Sequence, residues 1–149
     1  MGSLTLPITG TVYVETPALI YTVERHPRYE PLLRPLWQAV QARTVIAVSS
    51  ELALLETFVM PMRQGDVSLQ AAYERLLLHT PQMHLRPITQ TILREAARLR
   101  ASIAGLRTPD ALHAATAFEA GCALFVTNDA GFRRIPNLPL AILDDMFAS

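Results

Sequence analysis

Short β-rich runs alternate along the chain with longer stretches in which apolar residues recur at helical spacing. That alternation predicts βαβ units assembled on a parallel sheet. The predicted strands are residues 11–14, 45–48, 83–86, 124–127 and 140–143. Between them, Leu33, Leu36, Trp37 and Val40 keep a helical period, as do Leu69, Ala72, Tyr73, Leu76 and Leu77, and again Ile92, Ala96, Leu99 and Ile103. Each set predicts a helix with one face turned to the core. Arg94, Glu95, Arg98 and Arg100 fall on the opposite side of the last stretch and read as a solvated face.

Punctuation supports these elements. Thr16-Pro17 and Thr108-Pro109 each set a hydroxyl residue before a proline, which predicts a capping side chain followed by proline at the first helical position. Ser49-Ser50 can cap the helix that contains Glu56. Gly105 and Gly121 stand where helices would end, and Pro81 closes another. No repeat, low-complexity tract or linker interrupts the pattern. With 149 residues, half of them apolar, residues 1–149 read as one domain able to bury a substantial core.

Charge narrows the chemistry. The 13 basic and 13 acidic residues cancel, so any nucleic acid must be held by a local patch and not by a general field. All the basic residues are arginine. The lack of lysine removes a P-loop lysine, a Schiff-base lysine and a pyridoxal site, and it removes the lysine on which a phosphoacceptor receiver domain depends. The single Cys122 cannot form an internal disulfide or by itself a zinc site, which fits a reducing compartment. No secretory leader or bilayer-length apolar run is visible, so a cytoplasmic protein without membrane contact is expected. Gly2 does not make a myristoylation motif, because Leu6 stands where Ser or Thr is needed.

Four carboxylates merit attention because of where the predicted elements put them. In an open parallel sheet, ligands bind outside the carboxyl ends of the strands. Glu15 directly follows the first strand, Asp129 follows the fourth after Asn128, and Asp110 lies in the first turn of the helix opened by Thr108-Pro109. Taken singly, Asp110 and Asp129 are explained by the helix dipole, worth about 0.3–1 kcal/mol, and Glu15 by an exposed strand end. Glu56 belongs to the pattern Leu52, Leu55, Glu56, Val59 and Arg63, which puts a carboxylate within a largely apolar stripe. A buried carboxylate needs a cation, a hydrogen-bond cluster or a proton; Arg63, two turns on, is one candidate partner. Together, four acids on one edge would repel one another strongly, so a counter-charge is required. Hard cations such as magnesium or manganese suit oxygen ligands, and no Cys/His set suited to zinc is present.

Three segments resemble the PIN domain family, and the resemblance runs from Val12 to about Leu143. They are V-Y-V-E-T-P-A-L-I-Y (residues 12–21), S-S-E-L-A-L-L-E (residues 49–56), and T-P-D-A-L-H-A-A-T-A (residues 108–117) followed by L-F-V-T-N-D (residues 124–129). The last pair, at this spacing, is similar to the PIN domains of VapC-type toxins. The resemblance implies a three-layer α/β/α sandwich on a five-stranded parallel sheet. It also implies a ribonuclease whose acidic residues, here Glu15, Glu56, Asp110 and Asp129, bind Mg2+ or Mn2+ and cleave RNA. It further implies an antitoxin protein partner and a homodimer.

Two positions depart from the family pattern: Glu15 stands where Asp is usual, and Pro17 where Asn or Ser is usual. The extra methylene shifts a carboxylate by roughly an ångström, a displacement that can cost about a hundredfold in rate. A scaffold that binds RNA or a protein partner without cutting is therefore the alternative. Substrate contact would fall to arginines near the acidic edge, with Arg25, Arg28, Arg107, Arg133 and Arg134 as candidates. His113, one turn after Asp110, reads as a packed or solvent-edge histidine, as do His26, His79 and His84.

Overall fold

The computed structural model describes residues 2–147. Five parallel strands, β1 (Gly10–Val14), β2 (Val45–Ser50), β3 (Met83–Arg86), β4 (Leu124–Thr127) and β5 (Leu140–Ile142), form one sheet in the order β3-β2-β1-β4-β5. Six helices connect them: α1 (Thr16–Val23), α2 (Glu30–Gln41), α3 (Leu52–Gln64), α4 (Val67–His79), α5 (Gln90–Ser102) and α6 (Thr108–Glu119). The strands stand where the apolar runs predict, to within two residues at either end.

Side-chain alternation divides the core into two layers. Val12, Val14, Val45, Ala47 and Val126 face one side and pack with Ala18 and Leu19 of α1, Leu33, Leu36 and Val40 of α2, Ala53 of α3 and Leu77 of α4. Tyr13, Val48 and Phe125 face the other side, against Ile92, Ala96 and Leu99 of α5 and Ala111, Ala114 and Ala115 of α6. The result is a three-layer α/β/α sandwich. Crossovers among β1, β2 and β3 run on the first face and the β3-to-β4 crossover on the second, as right-handed connections require once the direction of strand addition reverses. That reversal lies between β1 and β4, which pair directly.

The small residues of α6 let it sit close against the sheet, and every residue from Asp110 to Ala117 is buried. Asp66 and Thr89 cap α4 and α5 by accepting from the amides of Leu69 and Ile92. Ser50 Oγ accepts from the Leu52 amide at the start of α3.

Three local expectations fail. Thr16 and Thr108 do not cap: each is the first residue of its helix, after Glu15 and Arg107. The Thr16 hydroxyl is drawn to Glu56, and that of Thr108 accepts from Arg100 at 2.9 Å. Proline already supplies the helical φ and has no N–H to satisfy, which leaves these hydroxyls free for tertiary bonds. Arg100 therefore is not simply solvated; it also donates to the Leu106 carbonyl and ties the α5–α6 turn together. The inward stripe of α3 is Ala53, Thr57 and Pro61, while Leu55 is 62 % exposed. Glu56 thus lies at the margin of the buried face, and its partners come from α1 and α6 instead of Arg63.

Close packing of α6 makes a direct test of the layer arrangement. Ala114→Leu, which overfills the α6–sheet contact, is expected to destabilise the protein by about 1–3 kcal/mol. Leu93→Ala on the exposed side of α5 should stay within about 0.5 kcal/mol. Urea unfolding midpoints distinguish the two, and equal effects would contradict the packing.

Candidate functional site

At the reversal between β1 and β4 the loops diverge and leave a cleft of about 440 Å³, lined by Glu15, Thr16, Pro17, Ile20, Tyr21, Glu56, Arg107, Pro109, Asp110 and Asp129. All four carboxylates singled out from the sequence line this one cleft. They arrive from four places: the end of β1, the second turn of α3, the first turn of α6 and the turn after β4. An open parallel sheet concentrates loop ends and helix N-termini at such a point, and this is where ligands bind in folds of this kind.

Glu15 is the most buried of the four, at 6 % exposure. Its Oε2 accepts from the Thr127 hydroxyl at 2.8 Å, and that hydroxyl in turn accepts from the Asp129 amide at 3.1 Å. Thr127, read from the sequence only as a strand residue, so links two of the acids. Burial raises the Glu15 carboxyl to about 7, with the negative charges of Glu56 and Asp110 adding to the rise and His113 and Thr127 opposing it.

Glu56 is settled differently. Its Oε1 accepts from Thr16 Oγ1 at 2.7 Å and lies 2.6 Å from His113 Nε2. Burial pushes this carboxyl up, but His113, Thr16 and Arg107 outweigh it and hold Glu56 below the usual carboxylate range. Two adjacent acids are thereby driven in opposite directions.

Asp110 and Asp129 share one cation. Arg107 Nε donates to Asp110 Oδ2 at 3.2 Å, and its Nη2 stands 3.7 Å from Asp129 Oδ2. The other Asp129 oxygen accepts from the Gly131 amide at 2.8 Å. A methyl group at Gly131 would come within 3.0 Å of that oxygen, so the absence of a side chain there lets the carboxylate fold back onto the backbone. Of the arginines considered, Arg107 alone lines the cleft; Arg133 pairs with Asp145, Arg134 donates to the carbonyls of Ala104 and Gly131, and Arg28 stands over Phe147.

In donor chemistry the cleft fits a hard divalent cation: carboxylate oxygens line it and no thiol does. In placement it is open. Among the described residues, no three His, Cys, Asp or Glu side chains stand close enough to grip an ion. Glu56 is turned to His113, and the two aspartates to Arg107, so closure requires Arg107 to release them.

Of the packed and solvent-edge alternatives for His113, the packed one holds. It is fully buried, not at a solvent edge, and it bridges Tyr13 and Glu56. Its position one turn after Asp110 was the available signal, since i and i+3 share a helix face.

The PIN domain family model matches residues 12–138. Among curated proteins none matches the chain. Several solved structures share its fold. The structure of VapBC2 from Rickettsia felis bound to a promoter DNA fragment aligns with a TM-score of 0.72 at 18 % identity, covering 89 % of this chain and 98 % of that one. A toxin-antitoxin complex from Klebsiella pneumoniae aligns at 0.60 and 20 % identity, covering 87 % and 95 %. VapBC-5 of Mycobacterium tuberculosis, from the VapBC family of toxin-antitoxin systems, aligns at 0.57 and 19 %, covering 92 % and 98 %.

The raised Glu15 carboxyl fixes a pH dependence. A native group that keeps its proton to about 7, against 4.5 when unfolded, contributes stability that is complete below pH 4.5 and lost as pH rises through 7. Glu15→Gln, which cannot ionise, should therefore gain on wild type across that interval, by on the order of 3 kcal/mol above neutrality. Urea midpoints measured in EDTA from pH 4 upward report the difference; parallel curves would mean that Glu15 titrates like an exposed carboxyl.

Proposed function

Because the chain belongs to the PIN domain family, we propose that the acidic cleft is a nuclease site that hydrolyses RNA phosphodiester bonds, and that the protein is the toxin of a toxin-antitoxin pair. The observation that carries the reading is the convergence of Glu15, Glu56, Asp110 and Asp129 on one cleft at the strand-order reversal. These four residues would hold Mg2+ or Mn2+, which supplies Lewis-acid activation of water and neutralises charge on the leaving oxygen.

The chain's own groups account for the rest. In hydrolysis a water oxygen bonds to phosphorus as the bond to the leaving oxygen breaks, and negative charge builds on the non-bridging oxygens. Arg107 is placed to receive it: its side chain is 71 % exposed, and an ion pair so open to water contributes about 0–1 kcal/mol, little enough to exchange for a phosphate. Thr127 and the Gly131 amide hold Glu15 and Asp129 while Arg107 moves. Tyr21 and Ile20 form an apolar wall against which a base can lie.

The same reading takes residues 1–149 as one PIN-like domain that works with an antitoxin protein covering the cleft and pairs with a second copy of itself. Support for the antitoxin comes from the relatives, which are toxin-antitoxin complexes. Among the described residues, no helix is long and apolar enough to cross a membrane.

One observation favours the second reading, a scaffold that binds RNA or a protein without cutting: Arg107 already lies across Asp110 and Asp129. Metal binding separates the two. Calorimetry should give Mn2+ binding by wild type and by Glu15→Asp within about tenfold of each other if Glu15 is a working ligand, whereas binding by Glu15→Asp alone favours the scaffold.

Cleavage of defined transfer and ribosomal RNAs should require Mn2+ or Mg2+ and stop in EDTA. Asp110→Asn and Asp129→Asn should each lower the rate at least a hundredfold, of the order that loss of a charged group acting in the transition state costs, with thermal midpoints close to wild type. Either variant cutting at the wild-type rate would remove that residue from the site.

A further inference from the structure

The buried chain Tyr13–His113–Glu56 is not accounted for by the cleft alone. Glu56 belongs to α3, which packs with the first helical layer, yet its carboxylate reaches across the carboxyl edge of the sheet to α6 in the second. A glutamate at the margin of a helix has more rotamer freedom than an aspartate and would not hold one position unaided.

Two contacts restrain it, and a third fixes the histidine that makes one of them. His113 Nε2 and Thr16 Oγ1 both converge on Oε1, at 2.6 and 2.7 Å. Because a carboxylate only accepts, Nε2 carries the hydrogen in this contact. On the other side of the ring, Nδ1 meets the Tyr13 hydroxyl at 2.5 Å. Tyr13 is itself immobile: it is fully buried in β1, and its ring stacks parallel to Phe125 at 4.8 Å between centroids.

Among the described residues, Oε2 of Glu56 has no hydrogen-bond partner, while Oε1 takes both donors. One oxygen is clamped and the other is left for the cleft. Filling space would need no imidazole here, since a 0 % exposed polar ring is costly to bury unless both nitrogens are satisfied, and leucine would pack without that demand. The geometry also repeats the economy of the fold. Alternation puts Tyr13 and Glu15 on the same side of β1, and the helical period puts Asp110 and His113 on one side of α6. Each element therefore supplies one cleft carboxylate and one member of the chain.

We infer that His113, oriented by Tyr13, is a positioning residue that holds Glu56 with one carboxylate oxygen presented to a divalent cation. The inference rests on the metal-dependent reading of the cleft, and it assigns to His113 no contact with substrate.

Mn2+ binding to the full chain, measured by calorimetry and by the loss of the free-ion electron paramagnetic resonance signal, tests it. His113→Leu should weaken binding by about 10- to 100-fold, the range expected when a group that orients a metal ligand is removed. His113→Gln, which retains an N–H near the Nε2 position, should restore most of the affinity. Tyr13→Phe keeps the stack on Phe125 and removes only the hydroxyl, so a loss of roughly threefold to tenfold is expected even if His113→Leu proves too unstable to study. In a Glu56→Gln background neither change should reduce binding further. Unchanged affinity in Tyr13→Phe and in whichever His113 variants fold overturns the inference, and so does a loss that adds fully to that of Glu56→Gln. Assaying the same samples for RNA cleavage keeps the two ideas apart. Wild type that binds Mn2+ without cutting overturns the nuclease reading alone, and wild type that cuts while the variants bind as tightly overturns the positioning alone. Wild type that binds no Mn2+ overturns both.

Discussion

Carboxylates gathered in a partly buried cleft repel one another, and folding can assemble them only if each finds something to offset its charge. The four acids at the edge of this sheet are met in three ways. Asp110 and Asp129 share the guanidinium of Arg107. Glu56 draws two hydrogen-bond donors, Thr16 and His113, onto one oxygen. Glu15 has the Thr127 hydroxyl, which is too little, and burial leaves its carboxyl near 7. The unequal settlement is informative. Where a cation is supplied by the chain it is exposed and weakly held, and where the burial is deepest no cation is supplied at all.

Sheet topology decides which residues must face this problem. With β1 at the centre and the direction of addition reversing between β1 and β4, the loops after these strands part and the helices that follow diverge. Glu15 is the first residue beyond β1, and Asp129 the second beyond β4. The Glu15 amide donates to the Val126 carbonyl at 2.9 Å, so the β1–β4 pairing continues to the lip of the cleft and fixes the backbone of the acid. A rigid backbone with an undercompensated side chain is an arrangement that favours binding over folding stability, as functional sites commonly do.

Much of this was legible because it depends on periodicity and on residues immediately beyond element ends. Strand positions, the helical stripes of α2, α4 and α5, and the placing of Glu15, Asp110 and Asp129 at one edge all follow from such local rules. What resisted reading depends on tertiary choice. The apolar stripe Leu52, Leu55, Val59 on α3 suggests an inward face, yet Ala53, Thr57 and Pro61 are buried instead, because α3 packs mainly on α4 and α1. The threonines before Pro17 and Pro109 look like caps, but a hydroxyl has several possible partners, and the competition among them is settled by what folding brings near. His113 shares a helix face with Asp110, which hints at the cleft, but only the approach of α3 and β1 gives it Glu56 and Tyr13.

Glu15 shows what the extra methylene of a glutamate reaches at the end of β1. An aspartate at this position would end one methylene sooner, and the glutamate uses the added length to reach the hydroxyl of Thr127 on the neighbouring strand. That hydroxyl also receives the amide of Asp129, so the longer side chain is tied to the same anchor that sets a second acid. Reach alone would have given a mobile carboxylate; the threonine converts it into a fixed one and leaves the other oxygen free of that bond. The carboxylate is thus anchored to the β1–β4 strand pair, which is held in register.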